Sequence, residues 1–112
     1  MIRRFEIRDL LQGYITDGKL MSKKGVGTDY ATIKRRLAKG ELLVTYYEEI
    51  VATDEVARSR FAELVKEGRV MDLLQVQNKT GMITKYAIDK ACAEGEMLKF
   101  TGFGKSKPIY ID

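Results

Sequence analysis

The sequence predicts a small single α+β domain, residues 1-112, built from three to four helices, short antiparallel strands and a C-terminal β-hairpin. Three observations carry that expectation. A string of charge, glycine, charge and two apolar residues occurs four times, as Asp17-Gly18-Lys19-Leu20-Met21, Lys39-Gly40-Glu41-Leu42-Leu43, Glu67-Gly68-Arg69-Val70-Met71 and Glu94-Gly95-Glu96-Met97-Leu98. Apolar residues stand seven and three positions before each glycine, a spacing that places them on one helix face. The last sixteen residues read as strand, Gly/Lys-rich loop and returning strand.

Each string is a helix exit. Glycine just past the last periodic residue takes the left-handed backbone conformation without a Cβ clash, so the chain leaves a helix there and enters a strand. The first helix spans about Glu6 to Asp17 and carries Leu11 and Ile15 on its apolar face; Gly13 inside it costs about 1 kcal/mol relative to Ala. Between Lys19 and Thr28, Ser22, Lys23, Lys24, Gly25 and Gly27 cluster without periodicity, which makes this the expected mobile stretch. Thr28 or Asp29 caps a second helix through Lys39, with Tyr30, Ile33 and Leu37 as its buried stripe. Leu42 to Tyr47 is β-rich, and Tyr46 to Ala52 suits a strand or a short helix. Thr53 or Asp54 caps a helix through Glu67, and Val70 to Val76 is again β-rich. Thr80 or Thr84 opens the last helix, ending near Glu94, followed by Met97 to Thr101, the loop Gly102 to Lys107 and Pro108 to Ile111. The glycine spacings of 22, 28 and 27 residues are too uneven for a solenoid. A structural repeat stays open beside the plainer reading of a recurrent helix-to-strand exit.

Composition narrows the function classes. The 112 residues are 45% apolar and 32% charged, enough for one core, and no apolar run approaches the roughly 20 residues of a membrane span. With Arg3 and Arg4 followed by Glu6, Arg8 and Asp9, the N-terminal segment has no secretory apolar region, and a cytoplasmic protein is expected. One cysteine, Cys92, and no histidine leave neither an internal disulfide nor a Cys/His zinc set. No enzyme signature emerges. Gly-Lys-Ser at 104–106 lacks the earlier glycine of a phosphate loop and precedes a proline strand rather than a helix. No cofactor is expected, and Cys92, on the stripe with Ile88, reads as a small buried hydrophobe.

Charge is uneven along the chain. Residues 1–40 hold ten Lys/Arg against four Asp/Glu, residues 41–78 four against eight, and residues 79–112 six against four. The basic end offers Lys23 and Lys24 in the Gly-rich loop, then Lys34, Arg35, Arg36 and Lys39 on the second helix, where phosphates would be met by counterion release. The alternative is a solvated helix face of ordinary composition.

The C-terminal third, Thr84 to Glu94 followed by Met97 to Thr101 and Pro108 to Ile111, resembles the last helix and wing of the winged helix-turn-helix superfamily. That resemblance implies a recognition helix carrying Lys85, Asp89 and Lys90 and a wing carrying Lys105 and Lys107. Asp89 departs from a phosphate-facing pattern, and Ala57 to Met71 is similar to a recognition helix and strand as well. The expectation is a non-enzymatic nucleic-acid-binding protein, DNA favoured, that modulates transcription and works alone or as a homodimer. The alternative is an interaction module, an inhibitor or adaptor, docking its acidic segment Glu48, Glu49, Asp54, Glu55, Glu63 and Glu67 on a larger nucleic-acid-handling protein. RNA is open too, because Tyr14, Tyr30, Tyr46, Tyr47, Tyr86 and Phe103 are a stock of stacking groups, although most of the tyrosines suit partly buried packing.

Overall fold

The computed structural model describes residues 2–104 and 108–112 and is α+β throughout. Its elements run α1 (Arg4–Thr16), β1 (Leu20–Ser22), a 3-10 turn (Lys24–Val26), α2 (Tyr30–Ala38), β2 (Leu43–Val44), β3 (Ile50–Ala52), α3 (Glu55–Lys66), β4 (Val70–Met71), α4 (Leu73–Thr80), α5 (Lys85–Ala93), β5 (Leu98–Phe100) and β6 (Ile109–Ile111). All four recurrent glycines stand at positive φ, from 71 to 80°, and each lies between a helix and a strand. The helix exits expected from the strings are therefore present.

The elements fall into two halves with the same order: helix, strand, helical turn, helix, strand, strand. Each half forms a three-stranded antiparallel sheet whose last strand is central, in the orders β1-β3-β2 and β4-β6-β5. Register matches as well. Leu20 and Leu43 both pair with Ala52, while Val70 and Leu98 both pair with Ile111. Beyond each sheet the chain closes with the same bond, Thr53 N–H to Lys19 O and Asp112 N–H to Arg69 O, both at 3.0 Å. The four strings are thus two exits used twice.

The halves share their core. Alternate residues of a strand face opposite sides, and all three residues of β3 and of β6 are buried. Ile50 and Ala52, with Ile109 and Ile111, join a central cluster around Leu11, Phe61 and Leu64. Val51 turns the other way, into a small cluster with Ile33 and Leu42, and Tyr110 into one with Val76 and Ile88. The first helices α1 and α3 contribute to the central cluster, whereas α2 and α5 cover the outer faces of their own sheets. Contact between halves is reciprocal: α1 touches its own β1 and the other half's β5 and β6, and α3 touches its own β4 and the other half's β2 and β3. That is the pattern of an isologous interface, here within one chain. Layers spaced about 8–10 Å apart agree with a body 42 Å long and 21 Å across its thinnest dimension.

Several expectations need correcting. Five α-helices occur among the described residues, not three to four. The strand expected over Val70 to Val76 stops at Met71, because Asp72 accepts from Gln75 N at 2.8 Å and Gln75 Oε1 accepts from Asp72 N at 3.0 Å, a capping box that starts α4. Leu42 to Tyr47 contributes only Leu43 and Val44, after which the Thr45 hydroxyl donates to Ile50 O at 2.8 Å and turns the chain. The stretch Lys19 to Thr28, where no periodicity is apparent, contains β1 and the 3-10 turn. Ala57, Phe61, Leu64 and Val65 are buried on α3, so the inward face of that helix belongs to the central core.

Candidate nucleic-acid interface

The outer face of α2 is the most coherent basic surface. Asp29 caps the helix by accepting from Thr32 N at 2.8 Å, and Ile33 and Leu37, one turn apart, hold it to its sheet. The opposite face then points outward, and Ala31, Lys34, Arg35 and Ala38 are all exposed at the three- and four-residue spacing of one stripe. Lys39 follows at the C-terminal end, also exposed. Two long cations flanked by two small side chains leave room for a rigid partner to approach the helix closely.

Two expected members behave differently. Arg36 is half-buried and its Nε lies 3.3 Å from Glu41 Oε2, so part of its charge is already answered. Tyr30 is 75% exposed at the first position of α2 and does not belong to the buried stripe. It adds an aromatic face beside Lys34, one turn along. The hydrogen bond to Thr32 holds the Asp29 carboxyl below the usual carboxylate range. A fixed negative charge therefore sits at the N-terminus of α2, and a phosphate is favoured along the flank and C-terminal turn instead.

Lys23 and Lys24 lie where β1 passes into the 3-10 turn. Lys24 is exposed and Lys23 half-buried, and Lys23 N–H donates to Glu49 O at 2.9 Å, tying this turn to residues 45–49 between β2 and β3. That connection carries exposed Tyr46, Glu48 and Glu49, so the turn between β2 and β3 is acidic. A cleft of about 460 Å³ beside it is lined by Tyr46, Tyr47, Glu48, Glu49, Asp72 and Gln75. Its carboxylates have the wrong sign for phosphate. Inside it, the Tyr47 hydroxyl donates to Gln75 Oε1 at 2.7 Å, and burial holds its pKa above the ordinary tyrosine value.

In the second half, α4 is followed by a connection, residues 81–84, and then by α5. The connection is four residues long and contains Gly81 at φ 74°. Thr84, not Thr80, caps α5 by accepting from Ala87 N at 3.2 Å. Lys85 and Lys90 are exposed on α5, but Asp89 and Glu94 are exposed beside them, so this helix has no net basic face. Lys105 and Lys107, the expected wing cations, lie outside the described residues. Of the candidate stacking groups, Tyr30, Tyr46 and Tyr86 are exposed, Tyr14 and Tyr47 pack partly against the core, and Phe103 is buried.

What sequence reasoning missed is the equivalence of α2 and α5. Counting back from Gly40 and Gly95 pairs Ile33 with Ile88, Leu37 with Cys92, Lys34 with Asp89 and Arg35 with Lys90. The signal was available in the fourfold string, taken two by two.

No helix among the described residues is long and apolar enough to cross a membrane. Comparison with protein-family models, with curated proteins and with solved structures returned no match.

Proposed function

We propose that the protein is a non-enzymatic, DNA-binding regulator in which each half is a winged-helix-like unit and α2 is the principal contact with the duplex. The observation that carries this reading is the exposed stripe Ala31, Lys34, Arg35 and Ala38, on the helix that follows the helical turn and precedes the hairpin. In the winged-helix arrangement this is the position of the recognition helix. The B-form major groove admits a helix of this width, whereas the deep, narrow major groove of A-form RNA does not, which favours DNA. Lys34, Arg35 and Lys39 would meet phosphates or base edges, with Lys24 on the neighbouring turn. Arg36, held by Glu41, contributes less. A cytosolic setting suits the single thiol, which would stay reduced there.

The test is fluorescence anisotropy with duplex DNA, single-stranded DNA and RNA over a salt series. Duplex binding should weaken steeply with salt, and a variant carrying Lys34→Ala and Arg35→Ala should show a salt slope smaller by about 2, one for each phosphate contact removed. Absence of duplex binding at low salt, or a slope unchanged in that variant, overturns the reading. It would move attention to the acidic turn at Tyr46, Glu48 and Glu49 as a docking surface for a protein.

A further inference from the structure

We infer that α4, α5 and their connection in the second half form a self-association surface, through which a second copy of this chain docks across a two-fold axis. The two halves have the same framework, so the surfaces at equivalent places can be compared directly. On α2 the outward face is cationic. On α4, α5 and their connection large apolar side chains stand exposed among charges of both signs: Leu74 is 64% exposed, Ile83 82% and Tyr86 78%. These three are not scattered. Leu74 lies on the first turn of α4, and Gln77, one turn on, donates from Nε2 to Ile83 O at 2.9 Å, which draws the connection against α4. Ile83 and Tyr86 are three residues apart at the start of α5. Together they expose on the order of a few hundred Å² of largely apolar surface, the size at which a patch marks a contact.

The occupant follows from the charges around the patch. An isologous interface must be self-complementary, since the same residues meet from both sides. Along α5, exposed Lys85 and Lys90 alternate with exposed Asp89 and Glu94, so an antiparallel pair of α5 helices sets the cations of one copy opposite the carboxylates of the other. Duplex DNA would be repelled by the same carboxylates. Tyr86, Lys90 and Ala93, at spacings of four and three, give the seam, with small Ala93 allowing close approach and Tyr86 as the anchor. The clustered exposure of apolar side chains carries this surface independently of the nucleic-acid reading. Its consequence for that reading is that a dimer joined at α5 carries two α2 faces, the two-fold arrangement in which helix-turn-helix proteins meet paired half-sites.

Sedimentation velocity over a concentration series tests the surface on the full chain. Wild type should show a reversible monomer-dimer equilibrium. Ile83→Lys and Tyr86→Ser should each raise the dimer dissociation constant about thirtyfold or more, as loss of a central anchor does. Val56→Lys, which removes another exposed apolar side chain, on α3, should leave the constant unchanged. Circular dichroism melts of all three variants verify folding; the positions are exposed, and a variant that fails to fold is replaced by Ile83→Ser. A wild type that stays monomeric throughout, or dimers indifferent to both substitutions, overturns the inference. Loss of DNA affinity in Ile83→Lys without any wild-type dimer also overturns it and assigns the patch to DNA. Failure of DNA binding in a protein that still dimerises leaves the surface standing and removes only the proposed function.

Discussion

Ser22, the last residue of β1, and Asp72, the residue after β4, hold the same position in the two halves, each accepting a hydrogen bond from the backbone N–H three residues on. Ser22 Oγ accepts from Gly25 N at 2.9 Å, and Asp72 Oδ1 accepts from Gln75 N at 2.8 Å. The turn Ser22 starts is only three residues long; the helix Asp72 starts has eight. Asp72→Ala should therefore cost about 1 kcal/mol in global stability, within a range of about 0.5–2. Ser22→Ala should cost less, because fewer helical N–H groups depend on it. Urea denaturation of both variants against wild type measures the difference.

The shared core makes a stronger demand. Phe61 on α3 is fully buried, and its ring meets Tyr47 of the first half at 5.7 Å and Phe103 of the second at 6.3 Å, both edge to face. Phe61→Ala should cost about 3–5 kcal/mol. Both halves should lose stability together in one transition, seen as coincident near- and far-ultraviolet dichroism curves. Two separated transitions would mean that the halves fold independently.

How much of this could be seen in the sequence depended on what each residue needed from its surroundings. Helix exits at Gly18, Gly40, Gly68 and Gly95 were legible because backbone conformation there is a local matter. Caps were legible to within a pair of candidates for the same reason, and the structure selects Asp29 over Thr28, Asp54 over Thr53 and Thr84 over Thr80. By contrast, α4 was hidden: Val70, Met71 and Val76 suggest a strand, and the Asp72–Gln75 capping box that overrules them is a smaller signal. Spacing alone puts Tyr30 on the apolar stripe with Ile33 and Leu37, but it cannot show that the first residue of α2 is exposed. The basic stripe was mostly visible in Lys34, Arg35 and Lys39, but the ion pair that withdraws Arg36 needs Glu41 folded back across the glycine. The reciprocal packing of α1 and α3 depends on contacts between distant segments, and no local pattern encodes it.

Alkaline pH should weaken the fold through Tyr47. Burial, reinforced by the negative charge of Asp72, raises its pKa well above the ordinary 10.0. A tyrosine is neutral while protonated, so above pH 10 the unfolded chain releases a proton that the folded chain keeps. The unfolded state then binds fewer protons, and stability falls as pH rises from 10 toward the folded value. Tyr110, raised by burial as well, acts in the same direction. Tyr47→Phe should be less stable than wild type at neutral pH, because Gln75 Oε1 keeps only the Asp72 N–H as a donor, and should decline less steeply above pH 10. Thermal melts of the two proteins across that range separate the two effects.

Arg35 and Arg36 are neighbours in sequence with opposite expectations. Arg35 is exposed on the α2 stripe, whereas Arg36 is half-buried against Glu41 at 3.3 Å. If α2 meets duplex DNA as proposed, Arg35→Ala should lower affinity and reduce the salt slope by about 1. Arg36→Ala should change the slope by less and leave Glu41 unpaired at the edge of the surface. Anisotropy titrations of the two single variants at several salt concentrations compare them directly.

Gly13 and Gly102 make the last contrast, between a glycine that burdens its helix and one that its neighbours require. Gly13 is exposed inside α1, and a Cβ there would meet nothing within 4 Å outside its own helix. Gly13→Ala should stabilise the protein by about 0.5–1 kcal/mol, through the backbone freedom removed from the unfolded chain. At Gly102 a Cβ would stand 2.5 Å from Phe100 Cζ and 2.9 Å from Ile15 Cδ1. The Phe100 ring is buried and held edge to face against Phe103 at 5.9 Å, so it cannot move aside freely. Gly102→Ala should destabilise by about 1–3 kcal/mol, the usual cost of overpacking. Thermal melts that moved both variants in the same direction would contradict the packing described for the α1 to β5 contact.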